Sequence, residues 1–193
     1  MVKKIWVILV LVFITSLSHV EAATIKLEKN TEMHPQGWIA GAILLKAGTE
    51  VTLNDNGEVI SGTLKYYSCL KPAAQSYFVN NNQDLQDTIC LKGDTIVSFN
   101  EQGEVMFGTL GDDVSIMVAK NKQYVSFKAL TPITFNSVGG VAVGTIKYDM
   151  SFRPAGWENS SKENAGFIMY KAGTELTFNT KGEVIASKPK VNN

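Results

Sequence analysis

Few residues in this chain have the type and spacing to do chemistry. Past the N-terminal leader described below, a single histidine remains, His34, next to Pro35. A zinc site needs several His, Cys or carboxylate ligands at characteristic spacing, and no motif places an acidic residue beside His34. A solvated loop position before a proline accounts for it. The nucleophile-elbow pattern G-x-S-x-G is absent, as are the phosphate-loop and dinucleotide glycine patterns. Carboxylates do recur, at Asp55, Glu58, Glu101, Glu104 and Glu183. A row of them along an edge would suit calcium or glycosidic-bond chemistry. Each sits at a turn, however, where solvent exposure and an Asn across the turn explain it. The expectation is therefore no catalytic residue, no metal site and no cofactor.

The aromatic residues are more suggestive. Trp38 and Trp157 occupy equivalent places in Pro35-Gln36-Gly37-Trp38 and Pro154-Ala155-Gly156-Trp157. Rings presented on turns offer a glycan or a peptide a large contact area at small entropic cost. With Tyr66 and Tyr148 they form the candidate ligand-binding set. The competing reading is that each Trp plugs the end of a core. Cys69 and Cys90 are the only cysteines. In an exported chain they pair into a disulfide worth roughly 3 kcal/mol in the chain-entropy model. The alternative is two buried thiols.

The elements that must position these residues come from a repeat. The pattern K-x-x-T-x-(V/I/L)-(T/S)-(L/F)-N-x-x-G-x-V occurs without gaps at Lys46–Val59, Lys92–Val105, Lys128–Val141 and Lys171–Val184. Three copies continue into G-T-(L/I). Asn at the first turn position and Gly at the fourth favour a three-residue hairpin loop with a bulge. The pattern thus predicts hairpins over 46–64, 92–110, 128–146 and 171–187.

If Asn54 faces Glu58, alternation places Leu53, Val59 and Val51 on one face. The corresponding sets are Phe99, Val105, Val97 and Phe107; Phe135, Val141, Ile133 and Val143; and Phe178, Val184, Leu176 and Ala186. That face is the expected core, with Gly62 and the Thr and Ser residues opposite. A third strand is expected before each hairpin, in Ile39–Leu45, Thr88–Leu91, Tyr124–Phe127 and Phe167–Tyr170. Lys65-Tyr66 with Leu70-Lys71-Pro72-Ala73 matches Lys147-Tyr148 with Phe152-Arg153-Pro154-Ala155, so hairpins alternate with Pro-turn segments. The polar stretches Gln75–Asp87 and Glu158–Asn164 read as surface loops. Ser187-Lys188-Pro189 replaces G-T-(L/I) in the last copy, as in a capping unit. The fold class is all-β, an array of about four hairpin repeats with three strands per unit, as an extended meander or solenoid or as a closed barrel.

The N-terminus reads as a cleaved signal peptide over residues 1–22. Lys3 and Lys4 precede an apolar Ile5–Leu17, and Val20 and Ala22 are small residues suited to cleavage before Ala23. The chain over 23–193 is then one β-repeat domain. Removing Lys3, Lys4 and Glu21 takes the charges from 18 positive and 18 negative to 16 and 17. No basic stripe or polybasic cluster remains for nucleic acid or an anionic membrane. No stable membrane insertion is expected after cleavage. These features point to an exported protein, periplasmic, cell-surface or secreted. It would act without catalysis as an interaction or scaffold module toward a protein or glycan partner. The alternative is a carbohydrate- or peptide-binding module using the turn Trp residues.

Overall fold

In each N-x-x-G loop the Asn side chain organises the turn. Asn54 Oδ1 accepts the backbone N–H of Asn56 at 3.0 Å and of Glu58 at 2.9 Å, while the Gly57 N–H returns to the Asn54 carbonyl. Gly57, Gly103, Gly139 and Gly182 all take positive φ, the conformation that this loop demands and that a Cβ disfavours. The four pattern copies accordingly form four hairpins.

A computed structural model of the chain describes residues 22–37, 41–73, 88–119, 124–157 and 166–189. The described residues form seventeen strands and no helix. They are β1 (Ala23–Lys26), β2 (Thr31–Met33), β3 (Ile43–Leu45), β4 (Glu50–Leu53), β5 (Val59–Thr63), β6 (Ser68–Leu70), β7 (Ile89–Leu91), β8 (Ile96–Phe99) and β9 (Val105–Thr109). After these come β10 (Val114–Met117), β11 (Tyr124–Phe127), β12 (Pro132–Phe135), β13 (Val141–Thr145), β14 (Met150–Phe152), β15 (Ile168–Tyr170), β16 (Glu175–Phe178) and β17 (Val184–Lys188). Residues 1–21 of the signal-peptide segment and the two polar loops fall outside the described residues. No helix among the described residues is long and apolar enough to cross a membrane.

The hairpins join side by side into one antiparallel sheet of nine strands, in the order β1-β4-β5-β8-β9-β12-β13-β16-β17. Its two ends, β1 and β17, do not pair, so the sheet is open. This overturns the closed-barrel alternative. The expected third strands form as β3, β7, β11 and β15, but in a second layer. Each pairs with a short strand that alternation did not reveal, giving four two-stranded sheets: β2-β3, β6-β7, β10-β11 and β14-β15. The core lies between these small sheets and one face of the large one. It includes Leu45, Leu91 and Phe127 from the small sheets and Val51, Val97, Ile133 and Leu176 from the large one. Cys69 and Cys90 are direct cross-strand partners in β6-β7 and form an intramolecular disulfide.

The register differs from simple alternation past each loop. Leu53 does face Val59, but one bulged residue then shifts the ladder, and Thr52 faces Ser61. The same shift brings Thr134 opposite Val143 and Thr177 opposite Ala186. Phe107, Val143 and Ala186 therefore leave the core face, and Gly62, Gly108 and Gly144 enter it. They are glycines because side chains of the second layer press on them. A Cβ at Gly108 would lie 2.8 Å from Leu91 Cδ1, and one at Gly144 would lie 2.5 Å from Phe127 Cδ1. Phe99, Phe135 and Phe178 are buried as expected, whereas Leu53 is half-buried.

Candidate functional site

The K-x-x-T segment is a tight turn between the two layers. The Thr49, Thr95 and Thr131 hydroxyls donate to the Lys46, Lys92 and Lys128 carbonyls at 2.6–2.7 Å. The residue before the Thr takes positive φ in every copy: Gly48, Asp94, Leu130 and Gly173. Its N–H reaches back to the carbonyl of Leu27, Leu64, Leu110 or Ile146. Asn30, Asp113 and Asp149 fasten the same turns by accepting the N–H of Ala47, Ala129 and Ala172 at 2.8 Å.

Tyr66 and Tyr148 stand exposed at this end of the strands, each with the ammonium of the preceding lysine near its ring. Lys65 Nζ lies 5.7 Å and Lys147 Nζ 5.0 Å from the ring centres. Lys147 also pairs with Asp113 at 2.7 Å, Lys171 with Asp149 at 2.7 Å and Lys46 with Asp94 at 2.8 Å. These hydrogen-bonded lysines hold the Asp94, Asp113 and Asp149 carboxyls below the usual carboxylate range. The partnership raises Lys147 and Lys171 in turn, through their hydrogen bonds to Asp113 and Asp149. Tyr67 donates a hydrogen bond to Asp112, which raises the phenol.

Trp157 lies at the opposite end of the strands, beside the fourth N-x-x-G loop. Its indole N–H donates to Glu183 Oε1 at 3.0 Å, and Asn179 Nδ2 donates to Glu183 Oε2 at 2.7 Å. Glu183 is buried. The Arg153 guanidinium lies 3.7 Å from the Trp157 ring centre and 4.9 Å from that of Phe167, a cation–π stack. Beside this stack is an open depression of about 430 Å³ lined by Pro154, Ala155, Gly156, Trp157, Gly166, Phe167 and Ile168. Trp157 is half-buried, with its polar edge engaged and an arginine near its face. It is tied to the fourth hairpin through Glu183 and also lines the depression.

The four candidate aromatics are therefore not brought together. Tyr66 and Tyr148 share the K-x-x-T end, Trp157 is at the N-x-x-G end, and Trp38 lies outside the described residues. The turn before Trp38 is described. There Gln36 Nε2 donates to the Phe99 carbonyl at 2.9 Å, and Gly37 abuts Glu101, whose carbonyl oxygen would be 1.8 Å from a Cβ. Arg153 and Phe167 complete the Trp157 site, and the sequence alone does not single them out. The only trace is the match of Phe152-Arg153-Pro154-Ala155 to Leu70-Lys71-Pro72-Ala73. Lys71 holds the equivalent place at the second hairpin, its carbonyl accepting from Val105 as that of Arg153 does from Val184, but its ammonium pairs with Glu104 at 3.1 Å.

The repeated carboxylates have structural partners. Glu58 and Glu104 accept from Asn54 and Asn100 as Glu183 does from Asn179. The third copy carries Gly140 in place of Glu, since a Cβ there would lie 2.7 Å from the Val118 carbonyl oxygen. Asn136 Nδ2, lacking that carboxylate, is buried without a hydrogen-bond partner. Among the described residues no group of three or more His, Cys, Asp or Glu side chains is placed to hold a metal ion. His34 Nδ1 contacts the Gly41 carbonyl at 2.9 Å. Comparison with models of protein families, with characterised proteins and with solved structures finds no match to this chain.

Proposed function

We propose that this is an exported, non-enzymatic repeat protein of four units, an interaction or scaffold module of the cell envelope or the extracellular space. The observation that carries the non-enzymatic reading is the commitment of the repeated carboxylates. Glu58, Glu104 and Glu183 each accept from the Asn of their own loop, so their recurrence follows from loop geometry. The disulfide accords with an oxidising compartment. Unit architecture is supported by the same hydrogen bonds recurring copy after copy. The test is a hydrolysis screen of the purified mature chain against glycan, peptide and ester panels, run beside Glu183→Gln and Glu104→Gln. No turnover is expected; turnover lost in either variant overturns the reading. Fractionation of producing cells should place the chain outside the cytoplasm.

A second reading, glycan binding, is favoured by the depression lined by Trp157 and Phe167, the two rings near which the Arg153 cation lies. Stacking rings beside a guanidinium suit a sugar that carries a carboxylate. Trp38→Phe leaves Trp157 as the only indole of the mature chain. Its fluorescence should then respond to uronic-acid oligosaccharides and not to neutral ones. A flat titration with both removes this reading.

A further inference from the structure

We propose that the groove between the third and fourth K-x-x-T turns binds an acidic peptide segment of a partner protein, which sets a carboxylate on Lys128 and an aliphatic side chain on Leu130. The proposal rests on the interaction-module reading and gives that module its contact. The groove is open and holds about 540 Å³. Its lining includes Lys128, Leu130 and Gly173, and also Asp113 and Lys147. The chain itself shows what answers a lysine placed like Lys128. Lys46 opens the first turn, and Asp94, the third residue of the second turn, pairs with it at 2.8 Å. Between the third and fourth turns the same relation sets Lys128 against position 173. That residue is glycine, so no side chain supplies the carboxylate. The groove's own acid is committed elsewhere. Asp113 Oδ1 accepts the Ala129 N–H at 2.8 Å, and Oδ2 pairs with Lys147 at 2.7 Å. Among the described residues no carboxylate forms an ion pair with Lys128. A carboxylate from outside completes here the pair that Asp94 makes one interval earlier in kind, which is charge complementarity.

Leu130 supplies the apolar half of the site. It holds φ +61°, where two of the copies use glycine, and its side chain is 65% exposed. A bulky residue in the left-handed region costs stability, and burial within the chain does not offset it here. Backbone strain of this kind concentrates at positions that contact a ligand. At Leu130 it presents an aliphatic anchor beside an unanswered cation. A branched aliphatic anchor suits another aliphatic side chain, whereas the face of a sugar ring favours an aromatic partner. An open groove does not enclose an acyl chain, which sets a peptide above a lipid.

The test is an array of immobilised peptides in a Gly-Ser frame, probed with the mature chain. Each peptide carries one Leu or Ile and, one or two residues away, an Asp, an Asn or a Lys. Retention should favour the Asp peptides over the other two kinds. Lys128→Gln should erase that preference. Leu130→Gly should weaken retention about tenfold without lowering the melting temperature. Gly173→Asp rebuilds within the chain the pair that Asp94 makes, and Asp94 already holds this position at φ +59°. It should block the groove. Gly173→Asn has the same size and backbone demand without the charge, and should keep most of the retention. An array without an Asp preference, a Leu130→Gly chain that binds as wild type or melts lower, or equal losses in Gly173→Asp and Gly173→Asn overturns the proposal. So does retention by anionic lipid vesicles or acidic glycans in place of the peptides. The array reads binding and the hydrolysis screen reads turnover, so a blank array removes this site while the non-enzymatic reading stands or falls by its own test.

Discussion

The ring of Phe127 fills the space where a side chain at Gly144 would begin: a Cβ there would lie 2.5 Å from its Cδ1. Gly144→Ala should therefore force Phe127 off its place in the core and cost about 1–3 kcal/mol. Gly57 offers a control of different origin. Nothing lies within 4 Å of its Cβ position, but its φ is +76°. Gly57→Ala should cost about 1 kcal/mol through backbone conformation alone. Urea unfolding followed by Trp fluorescence measures both. Equal costs at the two sites would refute the close approach.

Leu130 holds φ +61° at the position where two other copies use Gly48 and Gly173, and its side chain is exposed. Replacing it relieves left-handed strain with little packing lost. Leu130→Gly should raise stability by about 1 kcal/mol. Asp94 shares the conformation, but Asp tolerates it better and its carboxylate pairs with Lys46. Asp94→Gly should gain less. A loss of stability in Leu130→Gly would show that the leucine packs in solution against something that offsets the strain.

Acid should weaken the fold through three carboxylates. Asp94, Asp113 and Asp149 have folded pKa values held down by hydrogen bonds from Lys46, Lys147 and Lys171. The sign follows from linkage: their contribution is present above the unfolded Asp value of about 3.9 and is lost as pH falls through the lower folded values. All three groups are solvent-facing, so salt should reduce the effect. Melting temperatures of wild type and the triple Asp→Asn variant, taken from pH 7 downward, should converge at the acid end. Parallel curves would contradict the ion-pair assignment.

Removing the indole N–H should expose the structural role of Trp157. Trp157→Phe keeps a ring beside Arg153 but takes a donor from buried Glu183. The expected cost is about 1–3 kcal/mol. Trp157→Phe/Glu183→Gln, made as a double-mutant cycle, should recover some of it. Strict additivity of the two single changes would mean that the pair does not interact.

Much of the hairpin layer was legible because its signals are local. Asn54 and Gly57 satisfy one loop within four residues, and the cysteine pair needed only two neighbouring strands. The second layer was less legible. Strands of three residues such as Thr31–Met33 are too short for a period to emerge, and each follows a turn held by a residue far along the chain, as Asn30 is by Ala47. The bulge left no mark of its own. Ile60, Met106, Ala142 and Ile185 hold it with apolar side chains that alternation reads as ordinary strand, and this reading puts Phe107 and Val143 in the core. The glycine of G-T-(L/I) was the available signal for the true register, since a strand glycine marks a close approach. Trp157 was visible as a residue type, but its partners Arg153, Phe167 and Glu183 come from three different strand ends.

The outward bond from Leu64 to Thr95 and that from Leu110 to Thr131 are the same joint, with the same 3.0 Å length. Interchangeable joints make this gene divisible. Joining Leu64 directly to Gly111 would delete residues 65–110, taking out one hairpin, one small sheet and the disulfide in a single cut. The next joint would find the leucine it expects. In-frame recombination between copies can thus lengthen or shorten the molecule along the sheet, Leu64 exchanging the Thr95 carbonyl for the equivalent one of Thr131, whereas a cut that slips a strand by one residue would turn its side chains to the wrong face.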